Sequence, residues 1–67
     1  MSVLKVIELM ASSEKSWEDA LRNAVNTAGK TVKGIRSAYV QDQSVVVKEN
    51  NVTEFRITAK ITFEILK

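Results

Sequence analysis

The sequence predicts an α+β fold of order β-α-β-β, with a three-stranded antiparallel sheet wrapped around one helix. Phe55, Ile57, Ala59, Ile61, Phe63 and Ile65 form an every-second-residue apolar row, and Glu54, Arg56, Thr58, Lys60, Thr62 and Glu64 fill its gaps. Only an extended strand puts those two sets on opposite faces. Trp17, Ala20, Leu21, Ala24, Val25, Ala28 and Val32 recur instead at i, i+3, i+4, i+7, the spacing of a helix with one apolar side. Glu49-Asn50-Asn51 then supplies a turn on which one long strand folds back along another.

Residues 3–10 are apolar and β-branched at several positions and predict the first strand. Residues 11–15 are a polar connection. Ser16 suits the N-cap of the helix, with Asp19 in the place of the capping-box acid and Glu18 adding favourable charge near the positive end of the dipole. The helix is expected to begin at Trp17 and run about four to five turns, with Arg22, Asn23, Asn26, Lys30 and Lys33 on its polar side. Gly34 follows where a left-handed C-cap would sit. Gly29 lies inside the pattern, costs helix stability and points to a strand passing close by. Ile35–Lys48 is the second strand, and the third returns antiparallel from Val52, its apolar row facing the Trp17 to Val32 stripe.

A strand over residues 52–66 would reach roughly 50 Å at about 3.3 Å per residue, longer than common strands. A chain of 67 residues sits where apolar burial and conformational entropy nearly balance, so it cannot cover such a strand alone. Neighbouring copies covering one another's sheets are the expected remedy. The chain reads as a single domain over residues 1–67, without repeats or linkers.

Composition removes several functions. With no Cys and no His there is no disulfide framework, no thiolate site, and neither the commonest metal ligand nor the commonest general base. Ten Lys and Arg against eight Asp and Glu leave +2, spread along the chain, which is not the footprint of a nucleic-acid binder. Residues 3–10 are too short for a membrane span and are interrupted by Lys5 and Glu8. They also lack the basic start and cleavage site of a signal peptide, so a cytoplasmic protein without membrane partners is expected.

The run Lys5-Val6-Ile7-Glu8-Leu9, then Ser12-Ser13-Glu14-Lys15-Ser16-Trp17-Glu18-Asp19-Ala20-Leu21 and Lys30-Thr31-Val32-Lys33-Gly34-Ile35-Arg36, resembles the dodecin family. The likeness continues through Asp42-Gln43 and Val52-Thr53-Glu54-Phe55-Arg56 and covers essentially the whole chain. It implies a hollow, near-spherical homododecamer of β-α-β-β protomers. Many members bind riboflavin or FMN in pairs at subunit interfaces, as storage or buffering proteins and not as enzymes.

The family-matched ligand positions here are Arg36, Ser37, Asp42, Ser44 and Arg56. In flavin-binding members a Trp that follows the Ile-Arg-like pair stacks on the isoalloxazine; after Ile35-Arg36 this chain has Ser37, which offers neither stacking nor apolar cover. A Gln after the Glu-Tyr-like pair meets the ring's polar edge as donor and acceptor; after Glu54-Phe55 stands Arg56, which can only donate. An Arg seven residues beyond the Trp serves the phosphate of FMN, and Ser44 replaces it. The resemblance therefore implies a storage or binding shell with weak or absent flavin binding. Trp17 aligns with the family's own helix Trp and reads as a core anchor, and Tyr39, sharing the Ser37 face, reads as an interface residue.

The Ser37 and Arg56 pairing is similar to flavin-free members, one group of which is calcium-binding. On that alternative Glu14, Glu18, Asp19, Asp42, Glu49, Asn50 and Asn51 offer oxygen ligands where copies meet, although no contiguous loop has EF-hand order. Arg56 is expected to pair across a subunit boundary with Glu54, Glu64 or Asp42. Lys30, Lys33 and Arg36 offer charge to a phosphate or coenzyme A, but basic residues at a helix end are more often solvated. Ser12, Ser13 and Ser16 lack a His or Cys partner for nucleophilic chemistry, so no enzyme is expected.

Overall fold

The computed structural model describes residues 3–65 and has the element order β1 (Val3–Ser13), α1 (Trp17–Ala28), β2 (Ile35–Lys48) and β3 (Asn51–Ile65). The three strands form one antiparallel sheet in the order β1-β3-β2, so the strand with the clean alternation is the central one. Its expected end at Leu66 lies outside the described residues.

Ile57, Ala59 and Ile61 of β3 are buried, together with Ala20, Ala24 and Ala28 of α1. The alanines let the helix lie close on the sheet, and Trp17, Leu21, Ala11 and Val40 close the sides of this core. The expected stripe and row thus meet. Trp17 sets its ring edge-on to Phe55, with centroids 5.1 Å apart at 76°, a favoured aromatic geometry.

Local details differ from the sequence expectation at the element ends. β1 runs three residues past Met10, because Ala11 and Ser13 continue the alternation and pair with Ile57 and Phe55. Ser16 caps α1 as expected, its Oγ accepting from the Asp19 amide at 3.0 Å. The Asp19 carboxylate does not reach back to the cap. It accepts instead from the Ser13 hydroxyl at 2.6 Å, and Ser13 Oγ in turn accepts from the Lys15 amide at 2.9 Å.

The helix ends at Ala28, earlier than the spacing suggests, with Gly29 at the C-cap. The chain keeps turning beyond it: Lys30 and Thr31 donate to carbonyls three residues back, and Val32 donates to Ala28 at 2.8 Å. That residual turn explains why the apolar spacing persists to Val32. No strand crowds Gly29, whose missing Cβ would face only the helix's own carbonyls. The close strand is at Gly34, where φ is +80°, a Cβ would lie 3.2 Å from the Glu64 carbonyl oxygen, and the Gly34 carbonyl accepts from the Glu64 amide at 3.0 Å. Gly34 therefore launches β2 beside β3 and does not cap the helix.

Register shifts between Ile35 and Ser37, Val40 and Asp42, and Val46 and Val47 break the β2·β3 ladder. Such bulges bend and twist a hairpin, here curving it about the helix. The turn places Glu49 at φ 52° and Asn50 at φ 65°, two successive left-handed residues as a tight hairpin with right-handed twist requires.

The chain measures 51 × 19 × 13 Å and has a radius of gyration of 13.7 Å, against about 11 Å for a compact chain of this length. Val3, Leu4, Val6, Met10, Tyr39, Val45, Val47, Val52 and Ile65 remain exposed. One helix of 12 residues is about 18 Å long and cannot span a molecule whose longest extent is 51 Å.

Candidate functional site

The pleat decides which side chains share the sheet face turned away from α1. Residues opposite one another in an antiparallel pair project to the same side, so the face can be read as cross-strand rows. Val6, Thr62 and Ser37 form one row; Glu8, Lys60 and Tyr39 the next; then Met10, Thr58 and Asp42; then Ser12, Arg56 and Ser44. Four of the five family-matched positions, Ser37, Asp42, Ser44 and Arg56, therefore stand on this one face, all of them exposed. The bulge after Ile35 sets Arg36 apart from them.

Arg36 is engaged within the chain. Its guanidinium grips the Glu64 carboxylate, with Nε at 3.1 Å from Oε1 and Nη2 bonded to the same oxygen. The pair joins the start of β2 to the end of β3, where Glu64 also binds Gly34 through its amide. Lys30 and Lys33 are exposed.

Ser37 puts a hydroxymethyl group beside Thr62, and the row carries no aromatic ring. Tyr39, one row on, is 55% exposed and stands next to Lys60, sharing the Ser37 face as its spacing requires. Trp17 is on the other side of the sheet, its ring against Phe55 and its Nε1 donating to the Ser44 carbonyl at 3.0 Å. The one indole of the chain is thus spent on the core. A flat heteroaromatic ring laid on this face meets a hydroxymethyl group at position 37 and a donor without an acceptor at position 56.

Arg56 leans toward β1, where it lines an open concavity with Met10, Ala11 and Ser12. Among the described residues it forms no ion pair within the chain; the pairs present are Arg22–Glu18 and Arg36–Glu64. Its expected pairing with Glu54, Glu64 or Asp42 is therefore not an intrachain contact.

The oxygen ligands considered for calcium are dispersed within the chain. Glu14, Glu18 and Asp19 lie at the β1-α1 junction, Asp42 on the face opposite the helix, and Glu49, Asn50 and Asn51 at the hairpin tip. Among the described residues no three His, Cys, Asp or Glu side chains gather as a metal-holding group. Of the three serines, Ser16 is the helix cap and Ser13 is buried on Asp19, whereas Ser12 lies exposed beside Arg56. The Ser13–Asp19 link was hidden from the sequence because it depends on β1 continuing as a strand through Ser13. Among the described residues no helix is long and apolar enough to cross a membrane.

A family model described as dodecin matches residues 3–66. A calcium dodecin of Mycobacterium tuberculosis is 38% identical over 64 residues, 96% of this chain and 90% of that protein. A solved structure described as a calcium-chelating calcium dodecin from the same organism, with a novel calcium-binding site, superposes with a TM-score of 0.84 at 35% identity, covering 97% of this chain and 93% of that one. A point mutant of the dodecin of Thermus thermophilus superposes with a TM-score of 0.93 at 25% identity over 100% of both chains.

Proposed function

The chain belongs to the dodecin family, and we propose that it is a self-assembling binding protein, a hollow homododecameric storage shell of dodecin type with weak or absent flavin affinity. The observation that supports this reading is the make-up of the exposed sheet face: Ser44 and Arg56 are paired on it and Ser37 shares it three rows away, and none of the three offers the stacking plane, the amide or the cation that the family resemblance assigns to its position in flavin-binding members. The elongated protomer and its uncovered apolar side chains support the assembly. Hydrophobic surface of this extent on so short a chain calls for neighbours. The absence of a His or Cys from the sequence supports a binding role and not a catalytic one.

Titration of FMN and of riboflavin with the protein, followed by flavin fluorescence, tests the ligand half. Emission is expected to stay near that of free flavin. Tight, stoichiometric quenching would overturn it.

Calcium binding is a second reading, favoured by the identity to a calcium dodecin. Since the acidic side chains of one protomer are dispersed, a six- to eight-oxygen site would have to be completed by symmetry-related copies. A calcium-dependent rise in melting temperature that magnesium does not reproduce supports it, and identical responses to the two cations count against it.

A further inference from the structure

We propose that the concavity between β1 and β3 is a site for a small phosphate-type oxyanion, held by the Arg56 guanidinium and the Ser12 hydroxyl. The residues are brought together by register: Ser12 is the β1 partner of Arg56, and both residues line one open hollow with Met10 and Ala11. Both are exposed, and among the described residues neither side chain has a hydrogen-bond or ion-pair partner within the chain. A guanidinium presents a fork of fixed N–H donors and accepts nothing, and a hydroxyl beside it adds a donor from a second direction. That combination suits an oxyanion and suits neither a cation nor a neutral ring edge.

The charges around it decide where the anion sits. On the β2 side and toward the hairpin, Asp42 and Glu54 project from the same face in the neighbouring rows, and they repel an anion there. On the β1 side the lining residues, Met10, Ala11 and Ser12, are uncharged; Glu8 stands a further row away, and Glu14 follows Ser12 by two residues, past the end of the strand. The hollow lies on that neutral side. Met10 is 74% exposed and gives the site an apolar wall, so a phosphate ester with a small apolar substituent fits as well as the inorganic ion. Both anion-binding groups belong to one chain, so the site needs no residue of a second copy, only that a neighbouring copy leaves Arg56 open.

The test is calorimetric titration of the intact protein with inorganic phosphate, and separately with acetate, at matched ionic strength and without added calcium. Phosphate is expected to bind more tightly than acetate. Arg56→Gln should weaken phosphate roughly 10- to 100-fold, the range for a hydrogen-bonded charge, and Ser12→Ala roughly 3- to 10-fold. Circular dichroism verifies folding of both variants, and Ser12→Ala gives a second reading with Arg56 left in place. Equal binding of phosphate and acetate overturns the proposal, as does phosphate binding that Arg56→Gln leaves unchanged. Absence of phosphate binding to the wild-type protein also overturns it, and would fit an Arg56 already occupied by a carboxylate of a second copy. Flavin quenching and subunit counting report on the shell reading separately.

Discussion

The indole of Trp17 donates to the main-chain carbonyl of Ser44 at 3.0 Å, which pins the first turn of the helix to β2, an edge strand. The same ring lies edge-on to Phe55 of the central strand, so one side chain ties α1 to two strands. Trp17→Phe should keep the ring and lose the hydrogen bond, at a cost of about 1 kcal/mol. Trp17→Ala should cost about 3–5 kcal/mol. Urea unfolding at fixed protein concentration measures both, since the stability of the proposed assembly would depend on concentration.

The turn into the helix rests on two serines with different duties. Ser16→Ala removes the cap and should cost about 1 kcal/mol. Ser13→Ala leaves the Lys15 amide without its acceptor and takes the Ser13 donor from Asp19, and should cost about 1–3 kcal/mol because Ser13 is buried. Thermal unfolding that ranks Ser16→Ala well below Ser13→Ala in damage would bear this out. The reverse order would show that the cap outweighs the β1 anchor.

At the hairpin tip Glu49 holds φ at 52°, a region that Asn enters more readily than Glu. Glu49→Asn should therefore stabilise by up to about 1 kcal/mol. The midpoint of chemical denaturation should rise with no change in slope.

The Arg36–Glu64 pair is a weaker strut than its geometry suggests. The Arg36 side chain is 61% exposed, so water and salt screen the charges, and Arg36→Ala should cost less than about 1 kcal/mol. The difference from wild type should shrink as sodium chloride is raised.

Much of this was legible in the residues. The alternation from Phe55 to Ile65 identified the strand that proved central, and the Trp17 to Val32 spacing identified the helix that packs on it, though not its end at Ala28, because burial on one side leaves a direct imprint on sequence. Element ends were less legible. Residues 29–32 keep turning through isolated hydrogen bonds, which preserves helical spacing after the regular helix has stopped. Gly34 announced a left-handed backbone, but its reason, the passage of Glu64 alongside, is a contact of distant residues. The bulges at Arg36 and near Gln41 leave no mark in composition. They decide that Arg36 departs from the face shared by Ser37, Asp42, Ser44 and Arg56, and that the hollow beside Arg56 opens toward Ser12 was likewise a matter of register.

If the substitutions at the exposed face account for poor flavin affinity, restoring the missing chemistry should restore binding. The double variant Ser37→Trp with Arg56→Gln supplies a stacking plane and a donor-acceptor amide, and should quench riboflavin where the wild type does not. Adding Ser44→Arg should then favour FMN over riboflavin through its phosphate.

Native mass spectrometry of untreated protein, taken without added flavin, tests the central claim most directly. The account predicts a twelve-subunit species whose mass leaves no room for bound riboflavin or FMN. A stable monomer at micromolar concentration, or a dodecamer carrying stoichiometric flavin, would contradict it.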